Sequence, residues 1–243
     1  MLGRDGHPAS LPRRSALHEW HQAHGAVFKP VAGQQMVACY DQGDREPDAP
    51  ATLGLVDLSL WPRRGYRGPG VEHWLSPRLP LPKGVNQARQ TERGDWVLRT
   101  GAVEYWWLSS LAGATAEQLP EEPAERPADG VYDLHIADSH ALIALSGERA
   151  PACLAGPCAL DLRPDRFGPA CLAQTQVAGI NVQILRLHAL AAPVFLLFCE
   201  SSLALYLWES LLLAGRDLGA TAAGTAALET RLARAQSDAD GGS

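Results

Sequence analysis

GLVDLSLWPRRGYRGPGVEHWL, running from Gly54 to Leu75, is the stretch from which the rest of the chain can be read. Starting at Leu53, LGLVDLSL is an apolar run of strand character, and Trp61-Pro62 turns the chain. A strand then reaches Gly68-Pro69, after which Val71, Trp74 and Leu75 fall at helical spacing. Strand, turn and short helix recur further on, where HALIALSG leads into GERAPACLA between His140 and Ala155. Two such units predict an α+β body of two pseudo-repeated lobes. Their strands return by hairpins, so antiparallel pairing is expected.

N-terminal to that stretch, residues 1–14 carry proline and basic side chains without apolar periodicity and read as a flexible leader. Order is expected from Ser15, read as the cap of a helix whose apolar face holds Leu17 and Trp20 and which stops at Gly25. Asp41 to Pro50 is polar, holds two prolines and reads as a surface loop. C-terminal to it, Leu79 to Asn86 is interrupted by proline and cannot be an interior strand. GDWVLR and EYWWLSS make a hairpin joined at Thr100-Gly101-Ala102. Trp106 and Trp107 then point to opposite faces, one into the core and the other under a loop or a partner.

Residues 112–130 concentrate proline, alanine and acid and read as a linker between lobes at about 15–111 and 131–219. Beyond the linker, VYDLHIAD, HALIALSG, TQVAGINVQILRL and PVFLLFCE read as strands, with Ser146 placed to cap GERAPACLA. Ser201-Ser202 opens a helix with Leu203, Tyr206, Leu207, Ser210, Leu211 and Ala214 on one face, ended by Gly215 or Gly219. Residues 220–243 read as a tail that is partly helical at best.

The chain has 243 residues, 46% of them apolar, enough for a substantial core. A net charge of −6 without a basic stripe excludes nucleic acid as the main partner. The longest apolar run, Ala189 to Cys199, falls short of the about 20 residues a membrane helix needs. No membrane partner is therefore expected. The leader lacks the apolar region of a secretory signal, and a cytoplasmic protein is expected. Cys39, Cys153, Cys158, Cys171 and Cys199 lack zinc-ribbon spacing and read as buried thiols, with Cys153 and Cys158 able to approach across a turn.

His18, His21 and His24 are three apart on the first helix, whereas zinc-peptidase chemistry needs two histidines four apart, so no metal site is expected. Asp57, Asp95, Glu104, Asp133 and Asp138 are the carboxylates in or beside apolar segments. Each has a bland reading as a strand-end acid satisfied by backbone amides, and spacing pairs none of them. There is no phosphate-cradling loop, dinucleotide fingerprint or serine elbow.

SALHEWHQAHGAVFKPVAGQQMVACY, Ser15 to Tyr40, and the Gly54 to Leu75 stretch resemble the start of the glycine-cleavage aminomethyltransferase (T-protein) family. The resemblance rests on His21, Gly25-Ala26, Ala32-Gly33, Met36 to Tyr40, Gly54-Leu55, Asp57, Ser59 and Gly68. It implies a folate-binding fold in which Met36, Asp57, Trp61, Glu104 and Tyr105 are candidate pocket residues. It also gives His21 a place in the family pattern rather than at a metal. Leu60-Trp61 stands where the family has His-Met-Gly. Arg93 and Gly94 align near its catalytic aspartates, leaving Asp95 off register. LHALAAPVFLL, after Arg186, has no counterpart of the pterin-binding glutamate. No catalytic residue is therefore assigned, and the family's C-terminal barrel domain is not expected.

Leu81 to Gly219 resembles the gamma subunit of heterotetrameric sarcosine oxidase through GAVEYWWLS, ADSHALIALSG, CALDLRPDRFGPACLAQTQVAGINVQILRL and SSLALYLWESLL, with LPLPKGVN just ahead. That resemblance implies a non-catalytic accessory subunit packed against the folate-handling large subunit. FAD, FMN and NAD would sit on partner subunits; no cofactor is assigned to this chain, and tetrahydrofolate is the one that could reach it. The alternative is a tetrahydrofolate-dependent one-carbon transfer protein whose acid has moved to Asp95 or Glu104. A tRNA-maintenance folate protein would need a Lys-Gly-Cys signature, which the chain lacks.

Overall fold

In the computed structural model, residues 13–31, 34–41, 53–111, 127–187, 192–230 and 232 are described. The polar segment before Pro50, most of the linker and most of the leader lie outside them. A short helix α1 (His18–Ala23) leads through Gly25, at φ +74°, into the hairpin β1 (Ala26–Val31) and β2 (Gln34–Tyr40). The deciding stretch forms as expected, with strand β3 (Leu53–Asp57), strand β4 (Arg63–Arg67) and helix α2 (Val71–Leu75). Next come β5 (Gln87–Gln90) and the tryptophan-rich hairpin β6 (Trp96–Gly101) and β7 (Glu104–Leu108), which turns at Ala102 and Val103. VYDLHIAD gives only a three-residue strand β8 (Tyr132–Leu134) before one helical turn, α3 (Ile136–Ser139), and strand β9 (His140–Ser146).

Helix α4 (Ala150–Ala155) precedes β10 (Leu172–Val177) and β11 (Ile180–Arg186). The run TQVAGINVQILRL is therefore two strands. Ala178 and Gly179, both at positive φ, make the tight turn whose twist suits a two-residue hairpin. Strand β12 (Val194–Glu200), a 3₁₀ turn, helix α5 (Ala204–Ala214) and a second 3₁₀ turn follow, and Gly219 at φ +78° redirects the chain into β13 (Ala220–Ala223). The tail thus contributes a strand before its helical residues 225–230.

Six strands form one sheet in the order β10-β11-β12-β9-β3-β13, and five form another in the order β5-β6-β7-β4-β8. All pairings are antiparallel except β13 with β3. Each sheet takes a strand from the far half of the chain: β3 joins the later strands, and β8 joins the earlier ones.

The period of two along each strand assigns the cores. On β9 and β12, Leu142, Ala144, Leu196 and Phe198 face Trp96, Leu98, Trp106 and Leu108 of the other sheet. Ile143, Leu145, Phe195 and Leu197 face α4 and α5 on the opposite side. With both faces covered, these strands read as unbroken apolar runs. On the outside of the five-stranded sheet, Tyr66, Val97 and Tyr105 lie under Val71, Trp74 and Leu75 of α2, with Trp107 at the margin. The adjacent tryptophans do point to opposite faces.

Two expected caps are absent. The residue before α4 is Arg149, with no side-chain cap, and the Ser146 hydroxyl instead contacts the Gly54 carbonyl across the sheet. Ser15 serves an acid 42 residues away, described below. The buried face of α5 is Ala204, Leu207, Trp208 and Leu211, whereas Tyr206 is 51% exposed. Of the cysteines, Cys153, Cys158 and Cys199 are buried and Cys39 and Cys171 half-buried, all as free thiols.

Gly68 joins β4 to α2 at φ +145°, and a Cβ there would stand 1.9 Å from the Gly130 carbonyl oxygen. Gly68→Ala is expected to lose about 1–3 kcal/mol from backbone strain, before any displacement of residue 130. Gly70→Ala is the control, since its Cβ meets the Val131 side chain at 3.6 Å and the Asp129 carbonyl oxygen at 4.0 Å, both ordinary contacts. Urea unfolding of both variants measures the difference, and equal midpoints would refute the close approach.

Candidate functional site

The most buried ionisable cluster among the described residues gathers around Asp57, the last residue of β3. Alternation places its side chain on the same face as Leu53 and Leu55, where α1 packs. Leu17, fully buried, anchors α1 there, and the helix turns His18 and His21 inward. His21 Nε2 lies 3.0 Å from Asp57 Oδ2, and Tyr40 Oη of β2 lies 2.6 Å from His21 Nδ1. The Ser15 hydroxyl donates to the same Asp57 oxygen and accepts the Leu17 N–H at 3.1 Å. The Ser59 N–H donates to Asp57 Oδ1 at 2.8 Å.

Burial alone pushes the Asp57 carboxyl up. Hydrogen bonds from His21, Ser15 and Ser59, together with the charge of His21, outweigh it and hold Asp57 below the ordinary carboxylate value. Burial first, and Asp57 second, raise the Tyr40 phenol. Tyr40 therefore keeps its proton, and its hydroxyl, able to donate or accept, pairs with Nδ1 while Nε2 donates to the Asp57 carboxylate. The result is a hydrogen-bonded chain of tyrosine, histidine and carboxylate, with serine donating from the other side.

Beside it lies a cavity of about 10 Å³, walled by Ser15, His21 and Asp57 on one side and by Phe28, Met36 and Leu60 on another. That volume is about one water probe sphere. A pterin ring does not enter it. With both oxygens of Asp57 hydrogen-bonded, the cluster holds α1, β2 and β3 together.

The other residues singled out from the sequence lie apart. Met36 and Asp57 share the cavity wall. Trp61 is buried in the core between the sheets, its Nε1 donating to the Ser109 carbonyl at 3.3 Å. Glu104 Oε1 accepts from Thr100 and from the Trp106 indole, both at 2.9 Å, and Oε2 lies 3.6 Å from Arg67 Nε. Tyr105 faces the opposite side, under Arg99 at 5.1 Å, with its phenol pushed up to about 12, mainly by burial. Asp95 accepts the Ser110 N–H at the far end of the β6–β7 hairpin from Glu104. Asp133 pairs with Arg64 at 3.1 Å, and Asp138 with Arg13.

Of the other helical histidines, His18 lies 4.9 Å from Phe28 and His24 stacks on Trp20 at 3.8 Å. No group of three metal-ligating side chains occurs among the described residues. None of their helices is long and apolar enough to cross a membrane.

Arg63 went unmarked in the sequence and is 3% exposed. Its guanidinium donates to the Ser59 and Trp61 carbonyls at 3.0 Å, the Ala137 carbonyl at 3.3 Å and the His140 carbonyl. Burial lowers its pKa to about 10, still far above neutrality. It therefore remains a cation that fastens the β3–β4 turn to the α3–β9 junction. An arginine in the run Pro62-Arg63-Arg64 carries no sequence signal for this.

No family model matches the chain. It is 30% identical over 236 residues to the aminomethyltransferase of Saccharopolyspora erythraea, covering 91% of this chain and 63% of that protein. The aminomethyltransferases of Streptomyces avermitilis and Streptomyces coelicolor are 28% and 30% identical, over 91% and 90% of this chain. The chain spans 61% to 63% of the length of these curated relatives. Among solved structures, a chain of the heterotetrameric sarcosine oxidase from a Corynebacterium species, solved with pyrrole 2-carboxylate, matches with TM-score 0.59 at 18% identity, covering 86% of this chain and 97% of that one. Aminomethyltransferase T of the glycine cleavage system from Bartonella henselae matches with TM-score 0.63 at 20% identity, covering 91% and 62%. The chain is therefore similar to aminomethyltransferases along nine-tenths of its length and shares the T-protein-like fold of both kinds of structure.

Proposed function

We propose that the chain is a non-catalytic accessory subunit of a flavin-dependent complex of the sarcosine oxidase type, demethylating sarcosine or a related N-methyl amine. The observation that carries this reading is the fold shared with a chain of the heterotetrameric oxidase, at TM-score 0.59 over 86% of this chain. The hydrogen bonds that Asp57 and Glu104 accept from neighbouring residues support it, since both carboxylates serve to tie elements of this fold together. In this reading residues 15–219 form a pseudo-repeated body that packs against the folate-handling large subunit. FAD, FMN and NAD belong to the partners, and the assembly is cytoplasmic.

Co-expression with the flavin-carrying chains of a sarcosine oxidase-type enzyme from the same genome is expected to give one stoichiometric species on size exclusion. A monomer that elutes apart from those chains overturns the reading.

The 30% identity along 91% of the chain favours a second reading, a tetrahydrofolate-dependent one-carbon transfer protein. Titration of the isolated chain with a reduced folate separates the two. Saturable quenching of tryptophan fluorescence at micromolar ligand supports the transferase, and a flat response supports the accessory subunit.

A further inference from the structure

Helix α5 satisfies the core with one face and still presents a second apolar face to solvent. Leu205, Tyr206 and Leu213 are 43%, 51% and 63% exposed, three of the seven large apolar side chains that stand out among the described residues. Leu205, Glu209 and Leu213 recur every four residues and so form one stripe along the helix. Alongside it, Ser210 and Leu213 form one bank of an open groove of about 360 Å³, whose other walls are Ala152, Gly156 and Pro157 at the end of α4 and Ala178 of the β10–β11 turn. A Cβ on Gly156 would meet nothing within 4 Å, so that wall stands clear. The Tyr206 hydroxyl donates to the Ala178 carbonyl at 2.9 Å and braces the helix against the hairpin. Clustered exposure of this kind marks an interaction surface.

Charge and composition select the occupant. Residues 233–243, ARAQSDADGGS, contain no apolar side chain larger than alanine and cannot fill the groove. A second copy would bring the same stripe about a two-fold axis, setting Glu209 against Glu209 between apolar side chains. Like charges losing water together oppose that pairing. Glu209 makes no ion pair among the described residues. The complementary surface is a cation set between large apolar groups.

We infer that α5 and the adjoining groove dock a segment of a partner polypeptide in which a lysine or arginine lies between large apolar side chains. This rests on the accessory-subunit reading and names the face through which the subunit binds. Glu209 engages the cation, Leu205 and Leu213 cover its apolar neighbours, and the groove takes one of them.

The test compares affinity for the flavin-carrying chains, by surface plasmon resonance, for the wild type, Glu209→Lys, Leu213→Asp and Tyr132→Asp. Tyr132 is 66% exposed on β8 of the other sheet and serves as the control. All three substituted positions are exposed, and thermal melts check that each variant stays folded. Glu209→Lys and Leu213→Asp are each expected to weaken binding about tenfold or more, the former chiefly at low salt, with Tyr132→Asp unchanged. Wild-type affinity in both α5 variants, or loss only in Tyr132→Asp, overturns the inference while leaving the accessory reading intact. A wild type that binds none of the flavin chains removes the accessory reading, and the inference with it. Light scattering that shows a dimer dispersed by Leu213→Asp assigns the face to a second copy and also overturns the inference.

Discussion

Asp57→Ala is expected to lower the unfolding free energy by about 3–5 kcal/mol, the range for removing one partner of a buried ion pair. The magnitude follows from what would be left behind. His21 is 1% exposed, and its Nε2–H, the Ser15 hydroxyl and the Ser59 N–H would all face a vacant site too enclosed for water to replace the carboxylate fully. Asp57→Asn keeps the shape and one acceptor oxygen but turns an NH₂ toward a donor, so a smaller loss of about 1–3 kcal/mol is expected. Acid titration adds an independent sign. The folded-state carboxyl lies below its unfolded value of 3.8, so its stabilising contribution is fully present above that value and is lost as pH falls through the folded value. Urea midpoints of wild type and Asp57→Ala should therefore differ widely at neutral pH and converge in acid. Parallel pH profiles, or a neutral-pH loss under about 1 kcal/mol, would refute the assignment.

The strands that bury both faces were the easiest to read, because HALIALS and VFLLFCE leave no polar position for solvent. The tryptophan hairpin was equally plain, since alternation sends Trp106 and Trp107 to different cores. Capping differed at both serines. Ser15 stands two residues ahead of Leu17, the residue before α1, and keeps a local bond to the Leu17 N–H while donating to a buried carboxylate, whereas Ser146 turns to a neighbouring strand. The phase of α5 failed for a local reason. The 3₁₀ turn at Ser201–Leu203 advances the chain faster per residue than an α-turn, and the inward face becomes 204, 207, 208 and 211. The Ala178 turn was unreadable because alanine gives no sign of a positive φ.

The site was legible only in pieces. His21 and Asp57 each stood out, but 36 residues separate them, and only the docking of α1 on the end of β3 sets them 3.0 Å apart. Arg63 was hidden by the sound expectation that arginine lies on the surface. Glu104 and Tyr105 are both candidates that the resemblance implies, yet a strand must send neighbours to opposite faces.

Trp208→Ala should match Asp57→Ala in size, because the same helix depends on both. Trp208 is fully buried on the inner face of α5, with its ring edge-on to Trp20 at 5.4 Å and to His21 at 5.2 Å. Truncation empties the space behind α1 and is expected to cost about 3–5 kcal/mol, transfer and cavity terms together. The indole N–H has no acceptor among the described residues, so Trp208→Phe gives up no hydrogen bond and should retain most of the stability. Urea unfolding of the two variants decides this point: a phenylalanine variant as weak as the alanine one would mean that the N–H has an acceptor. The double variant Trp208→Ala, Asp57→Ala then tests whether α1 is held as a unit. Once either change releases the helix, the other has less to destroy, and the two losses should fall short of additivity by about 0.5–3 kcal/mol. Strict additivity would mean that the tryptophan and the carboxylate act on separate parts of the fold. In that case His21, which touches both, would not be the joint between them.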